Sequence, residues 1–161
     1  MIPEKIEEAL NNQINAELNA AYIYQAMGAY FEANNMEGFA SWMDKQAEEE
    51  VGHARKIYDF INERGGRVAL KGIDAPPVEW DSPLEVFEDA LEHEKKVTAM
   101  INELVDLAES ENDRAAVSFL QWFIDEQVEE EDSVESIIDK LEMVGGSSNG
   151  LYMLDKELGQ R

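Results

Sequence analysis

The chain has 161 residues, of which 44% are hydrophobic, which suits one globular domain with a substantial core and argues against disorder. Its 36 Asp and Glu residues against 13 Lys and Arg residues give a net charge of −23. That charge excludes a general nucleic-acid binder or a protein that docks on anionic lipid, because both need a basic face. Cysteine is absent, so disulfides, thiolate nucleophiles and Cys-ligated metal clusters are excluded.

The first residues, MIPEKIEEALNNQ, contain no apolar run after a basic start, so we expect no signal peptide. No stretch approaches the roughly 18 apolar residues that a membrane-spanning helix requires. We therefore expect a cytoplasmic protein that has neither a membrane nor a nucleic acid as its partner.

Long segments rich in Ala, Glu, Leu and Lys, separated by Gly and Pro, predict an all-α fold. The first helix is predicted over residues 3–33 and begins with Pro3, which is favoured in a first turn. The second is predicted over residues 36–64 and is ended by Gly65. So few residues join the two helices that they must be antiparallel neighbours.

The third helix is predicted over residues 83–109, because Ser82 and Glu85 form a capping box with proline at the first helical position. The fourth helix is predicted over residues 113–144, and an equally short connection joins it to the third. These two helices therefore form a second antiparallel hairpin.

Sixteen residues, 66–81, separate the two hairpins. Fully extended, they could reach about 50 Å, which exceeds the roughly 43 Å length of each long helix. The sequence therefore predicts a four-helix bundle with one long crossover between its second and third helices, and a short fifth helix over residues 150–158. The apolar residues expected to pack the crossover onto the bundle are Val68, Leu70, Ile73, Val78 and Trp80.

Each long helix carries an apolar stripe at a spacing of three and four residues, and a carboxylate interrupts every stripe near its midpoint. These four carboxylates are Glu17, Glu50, Glu94 and Glu130. On two helices a second polar residue, His53 or Gln127, lies three positions from the carboxylate. Midpoints of bundled helices lie at one level, so we expect these side chains to meet inside the core.

Four buried carboxylates cost several kcal/mol each unless they are protonated, paired or bound to metal. No Lys or Arg occupies the stripes near this level, so a metal site is the remaining explanation. Single Glu residues with a Glu-x-x-His motif are typical of di-iron carboxylate bundles, and carboxylate oxygens with one imidazole suit Fe(II), Mn(II) or Zn(II). One such Glu alone would be better explained by a misphased stripe or a solvated helix face.

These segments resemble the ferritin family, specifically the non-haem bacterial and archaeal ferritins. The resemblance covers nearly the whole chain and rests on the segments NAELNAAYIY, EEEVGHA, EHEKKV and FLQWFIDEQVEEE. It implies a single ferritin-like domain over residues 1–161 and a hollow homo-oligomeric shell, commonly of twenty-four subunits. In such a shell, Fe(II) is oxidised by dioxygen or hydrogen peroxide within each subunit and stored as a hydrous ferric oxide mineral.

The resemblance also implies two irons per subunit. Glu17, Glu50 and His53 would bind the first iron, with Glu50 bridging to the second. The residues that would bind or approach the second iron are Glu94, Glu130 and Gln127. Tyr24 would lie next to the first iron, as an electron donor or a hydrogen-bond partner.

A third iron site is also implied, formed by Glu49, Glu126 and Glu129 together with Glu130. The first three lie beside the stripes, and the sequence alone would assign them to a solvated acidic face. His93 also lies off its stripe, and we interpret it as a surface or interface residue.

This sequence departs from the bacterioferritin pattern. Where bacterioferritins carry a second Glu-x-x-His, it has Gln127 and Glu130, and where they carry a haem-binding Met it has Gly52, so we expect no haem. Two other functions stay open: a di-metal peroxidase or oxidoreductase that stores no mineral, and a helical interaction bundle without metal. The acidity fits the binding of iron ions or a saline habitat.

Overall fold

The computed structural model describes all 161 residues and contains five helices and no strand. The helices are α1 (Glu4–Ala33), α2 (Glu37–Glu63), α3 (Pro83–Ser110), α4 (Arg114–Val144) and α5 (Ser148–Leu158). α1 packs along α2, α3 packs along α4, and α1 also contacts α3. The predicted four-helix bundle with a short fifth helix is confirmed, and every helix boundary lies within two residues of its expected position. None of the helices combines the length and apolarity that a membrane crossing would need.

Asparagine makes both of the tight connections within the hairpins possible. Asn35 follows α1 with φ of 59°, and Asn112 follows α3 with φ of 56°. Asparagine is among the few non-glycine residues that tolerate this left-handed conformation. Each hairpin can therefore reverse direction within three residues, which aligns the midpoints of its two helices.

The crossover is fixed to the bundle at its ends rather than along its length. Near the start, the Asn11 side chain donates to the Arg67 carbonyl at 2.9 Å and accepts from the Ala69 amide at 2.8 Å. Near the end, the buried Trp80 indole donates to Asp89 at 2.7 Å. The expected packing of the whole crossover is therefore wrong in part, since most residues between these ends are exposed. Three of the apolar residues expected to pack are exposed, namely Leu70, Ile73 and Val78.

α5 docks closely on the beginning of α2. The side chain of the residue that precedes α2 does not cap the helix. Asp155 of α5 supplies the acceptor instead, and the Phe39 amide donates to it at 3.0 Å. At Gly38, a Cβ atom would lie 1.7 Å from the Asp155 carbonyl oxygen, so only glycine allows this approach. Leu154 and Leu158 are buried in the same contact.

The apolar core is divided into two clusters, one on each side of the helix midpoints. The cluster at one end is aromatic and includes Phe31, Phe39 and Phe87. The cluster at the other end is mainly aliphatic and includes Ile6 and Ile57. The polar midpoint residues lie between these clusters, where the surrounding packing holds them away from water.

Asp113 should contribute to stability at the start of α4, because it caps the helix through the Ala116 amide and binds both terminal nitrogens of Arg64, at 3.0 and 2.8 Å. We expect Asp113→Ala to destabilise the protein by about 1–2 kcal/mol, a fall in Tm of roughly 2–8 °C. Asp59→Ala is the control, because its ion pair with Arg55 lies on the surface and should contribute at most about 1 kcal/mol.

The contribution of Asp113 should also depend on pH. The Arg64 guanidinium holds the pKa of Asp113 below its usual value. A carboxylate with a lowered pKa in the folded state stabilises the protein above its unfolded pKa, about 3.9, and loses that contribution as pH falls through the folded value. The Tm difference between wild type and Asp113→Ala should be constant from about pH 5 to 7 and shrink below about pH 4. A difference that grew on acidification would contradict this assignment.

Candidate metal centre

Six polar residues predicted to meet in the core are buried at one level of the bundle. They are Glu17, Glu50, His53, Glu94, Gln127 and Glu130. Three groups of ligand atoms each lie within 4.8 Å of one another, and two of these groups consist only of residues predicted to meet in the core. The first set comes from Glu17, Glu50 and His53, and the second comes from Glu50, Glu94 and Glu130. Glu50 belongs to both sets and therefore occupies the position expected of a bridging ligand.

The first set is built around His53. Its Nδ1 atom lies 3.1 Å from Glu50 Oε2 and 3.6 Å from Glu17 Oε2. The Gln13 amide donates to the other oxygen of Glu17 at 2.9 Å, while Glu17 Oε2 is buried without a hydrogen-bond partner. An unsatisfied buried oxygen facing an imidazole and a second carboxylate is well suited to bind a divalent cation.

In the second set, neutral donors orient the carboxylates. The Tyr24 hydroxyl donates to Glu94 Oε1 at 2.5 Å, and the Gln127 amide donates to Glu94 Oε2 at 3.2 Å. The Gln46 amide donates to Glu130 and also lies 3.5 Å from Glu50. Tyr24, predicted to lie next to the first iron, thus has its hydrogen bond to Glu94, a residue of the second set. Burial followed by the charge of Glu94 raises the pKa of Tyr24 well above its usual value, so this phenol stays protonated and acts as a donor.

Protons balance the charge within the first set. Burial on its own would raise the pKa of Glu17 and lower that of His53, but the close approach of the two side chains to each other and to Glu50 reverses both shifts. The pKa of Glu17 therefore lies below its usual value, and that of His53 is raised to about 11. At neutral pH this region holds an imidazolium next to a carboxylate.

In the second set, the pKa values of the carboxyl groups themselves are raised. Burial raises the pKa of Glu50 well above its usual value and, with the nearby charge of Glu94, raises the pKa of Glu130 to about 8. The pKa of Glu94 is raised by burial as well. With a pKa of about 8, the Glu130 carboxyl group is largely protonated at neutral pH, and a divalent cation that binds here would displace that proton.

The residues expected to form a third site are placed unequally. Glu126 is half-buried, with Oε1 3.7 Å from His53 Nε2, and it forms a further group of neighbouring ligand atoms with His53 and Glu130. Glu49 is exposed and forms an ion pair with Arg161 at 2.7 Å, and Glu129 is exposed. The structure thus brings Glu126 to the centre and leaves the carboxylates of Glu49 and Glu129 outside these groups.

His93 is half-buried rather than a plain surface residue. Its Nε2 atom is buried without a hydrogen-bond partner, and burial lowers its pKa. It belongs to none of the groups of neighbouring ligand atoms, so it is not among the candidate ligands of the centre.

Sequence reasoning missed the glutamines that orient the carboxylates. Gln13 lies four residues before Glu17, and Gln46 lies four residues before Glu50. Residues at this spacing are neighbours on one helix face, so the repeated Gln-x-x-x-Glu pattern could have identified both. Arg161, which contacts Gln46 from outside the four long helices, has no such signal.

Comparison with known proteins gives this arrangement its context. A family model described as a ferritin-like domain matches residues 7–144, which is most of the chain. The chain belongs to the ferritin family. This ferritin is an iron-storage protein with ferroxidase activity, and its buried Glu and His cluster is compatible with a ferroxidase site.

Similar proteins extend the match over the full length of this ferritin. It is 45% identical to a bacterial non-heme ferritin of Bacteroides fragilis over 161 residues, covering 100% of both chains. It is 44% identical to a bacterial non-heme ferritin of Staphylococcus aureus, covering 100% of this chain and 97% of the other. Among solved structures, an open pore ferritin of Archaeoglobus fulgidus aligns with a TM-score of 0.99 and 51% identity, covering 100% of this chain and 99% of that one.

Proposed function

We propose that this ferritin binds two Fe(II) ions per chain as substrates, one in each set of ligands, and oxidises them with dioxygen or hydrogen peroxide. Glu17, Glu50 and His53 would hold the first ion. The second would be held by Glu94 and Glu130, with Glu50 shared between the two. The observation that carries this proposal is the shared, buried position of Glu50, which belongs to both sets of ligand atoms.

The chemistry of the ligands supports oxidation rather than simple binding. Carboxylate oxygens are hard donors that stabilise Fe(III) relative to Fe(II), and the single imidazole adds a nitrogen ligand. Two Fe(II) ions that share a bridging carboxylate can each give one electron to the same oxidant. The low exposure of the cluster would keep water from competing for the ligand positions.

Tyr24 and Gln127 would assist through Glu94. Both donate hydrogen bonds to its carboxylate, at 2.5 and 3.2 Å, and such outer contacts orient metal ligands. Gln127 also donates to the Thr98 hydroxyl and to the Glu94 carbonyl, which fixes the direction of its amide. We therefore assign both residues to the reaction as groups that position a ligand of the second iron.

A third iron site, formed by Glu49, Glu126 and Glu129 with Glu130, belongs to the same proposal. The nearness of Glu126 to His53 and Glu130 supports it. Glu49 would have to leave its ion pair with Arg161 before it could bind metal there. The third ion should therefore bind more weakly than the other two.

We further propose that residues 1–161 act as one domain that assembles into a hollow shell of twenty-four copies. Apolar side chains on the crossover support assembly, since Leu70 and Val78 are 66% and 71% exposed. A contact between copies would remove this surface from water, which is favourable. The ferric product would then collect inside the shell, where acidic side chains can bind it.

Anaerobic loading with Fe(II), followed by a pulse of oxygen, tests this function. We expect a rapid rise in near-ultraviolet and visible absorbance that saturates at two or three irons per chain, followed by slow mineral growth when iron is in excess. Sedimentation should show a large closed assembly that becomes denser as iron is added. Rapid oxidation without a shell or mineral would indicate a di-metal oxidoreductase, and binding without oxidation would contradict the ferroxidase assignment.

A further inference from the structure

Arg161, which follows α5, reaches back to the candidate metal centre. Its guanidinium lies over the Trp42 ring, 4.7 Å from the centroid. One terminal nitrogen donates to Gln46 Oε1 at 2.9 Å and to the Trp42 carbonyl at 3.3 Å, and the other donates to Glu49 at 2.7 Å. Arg161 therefore holds a buried amide and an exposed carboxylate at the same time.

The contact with Arg161 determines which way the Gln46 amide points. A guanidinium has donors and no acceptor, so the Gln46 carbonyl oxygen must face Arg161. The amide nitrogen then faces Glu130, to which it donates, and lies 3.5 Å from Glu50. Gln46 is buried in this structure, and the guanidinium is the donor that its carbonyl oxygen accepts from.

We propose that Arg161 is a positioning residue for Glu130 and acts through Gln46, an inference that rests on the proposed function of the centre. Without Arg161 the Gln46 amide can rotate, and Glu130 loses a directed donor. Outer contacts of this kind typically contribute about 10–100-fold to metal affinity. The first set should be affected less, because Gln13 orients Glu17 independently and Gln46 contacts that set only through Glu50, at 3.5 Å.

The planar fork of arginine is needed for this role. Its two terminal nitrogens engage Gln46 and Glu49 in different directions, whereas a lysine ammonium is a single compact charge on a flexible stem. Arg161→Lys should therefore recover only part of the affinity that Arg161→Ala loses. If Arg161 served only to dock α5, its substitution would weaken both metal-binding steps equally or neither of them.

Anaerobic titration with Co(II), followed by calorimetry and by visible absorbance, tests the proposal without any oxidation step. We expect wild type to bind two Co(II) ions per chain in two steps. In Arg161→Ala, one step should weaken about 10-fold while the other weakens by clearly less. Arg55→Ala is the matched control, because it also removes one arginine, but Arg55 pairs with Asp59 on the surface. This variant should bind Co(II) as wild type does.

A double-mutant cycle with Gln46→Ala tests whether Arg161 acts through Gln46. We expect Arg161→Ala to have little further effect in the Gln46→Ala background, because the side chain that transmits its influence is gone. Equal losses in both backgrounds would overturn the proposal, and so would wild-type binding by Arg161→Ala. If wild type itself fails to bind two Co(II) ions, the proposed function fails first, and that result is separate from any effect of Arg161.

Discussion

His53→Ala and Glu50→Ala should each lower the initial rate of Fe(II) oxidation by about 100-fold or more, since loss of even an outer contact of a metal ligand costs about 10–100-fold. Each variant should still fold and assemble. Removing Glu50 removes a carboxyl group whose burial is unfavourable, and removing His53 leaves the flanking apolar clusters in place. Stopped-flow absorbance after mixing with oxygen measures the rate, and sedimentation measures assembly.

Glu48→Ala is the matched control for Glu50→Ala. It removes the same charge from α2, but Glu48 is exposed and lies 3.8 Å from Lys45 in a surface ion pair. Its rate of oxidation should equal that of wild type. Fast oxidation that survives in both His53→Ala and Glu50→Ala would disprove the assignment of the centre to these residues.

Gly38→Ala should detach α5 from the beginning of α2. The new Cβ would lie 1.7 Å from the Asp155 carbonyl oxygen, and the obstacle is backbone, so the helix itself has to move. The shift weakens the cap that Asp155 supplies to Phe39 and the burial of two leucines. We expect a loss of about 2–4 kcal/mol, since a cap contributes about 1 kcal/mol and a fully buried Leu about 1.5–3 kcal/mol. Thermal unfolding followed by circular dichroism would show a Tm about 10 °C lower.

Gly52→Ala provides the control for this substitution. Gly52 is also in α2, but a Cβ there would meet nothing within 4 Å. Alanine has a higher helix propensity than glycine, by up to about 1 kcal/mol, so the Tm should rise slightly. Equal destabilisation by both substitutions would show that the effect comes from the helix backbone and not from the contact with α5.

The sequence was sufficient to predict the four long helices and the level at which their polar residues meet. The reason is that helical periodicity is a local property, and the two short connections leave the hairpins little choice of alignment. Glu17 and Glu50 could be assigned to one centre because each interrupts an otherwise apolar stripe, and the family resemblance then gave them roles. The structure places the predicted residues together, while their binding of iron stays a prediction.

Other features depend on contacts between residues far apart in the sequence. Arg161 reaches Gln46 across 115 residues, and no periodic pattern connects them. The need for glycine at position 38 arises only when α5 is docked against α2. The packing of the crossover was predicted wrongly in part for a related reason. An apolar composition shows that burial is favoured, but it does not show which surface covers each side chain.

The division of the bundle into two hairpins has a consequence for how bound metal affects the whole fold. Glu17, Glu50 and His53 all belong to the first hairpin, so a cation held by them alone leaves the second hairpin unconstrained. The second set joins Glu50 of the first hairpin to Glu94 and Glu130 of the second. A cation there acts as a clasp between the two halves of the chain, and each tenfold excess over its Kd opposes their separation by about 1.4 kcal/mol. Of these first two positions, only the second would therefore link the binding of a cation to the tightness of the bundle.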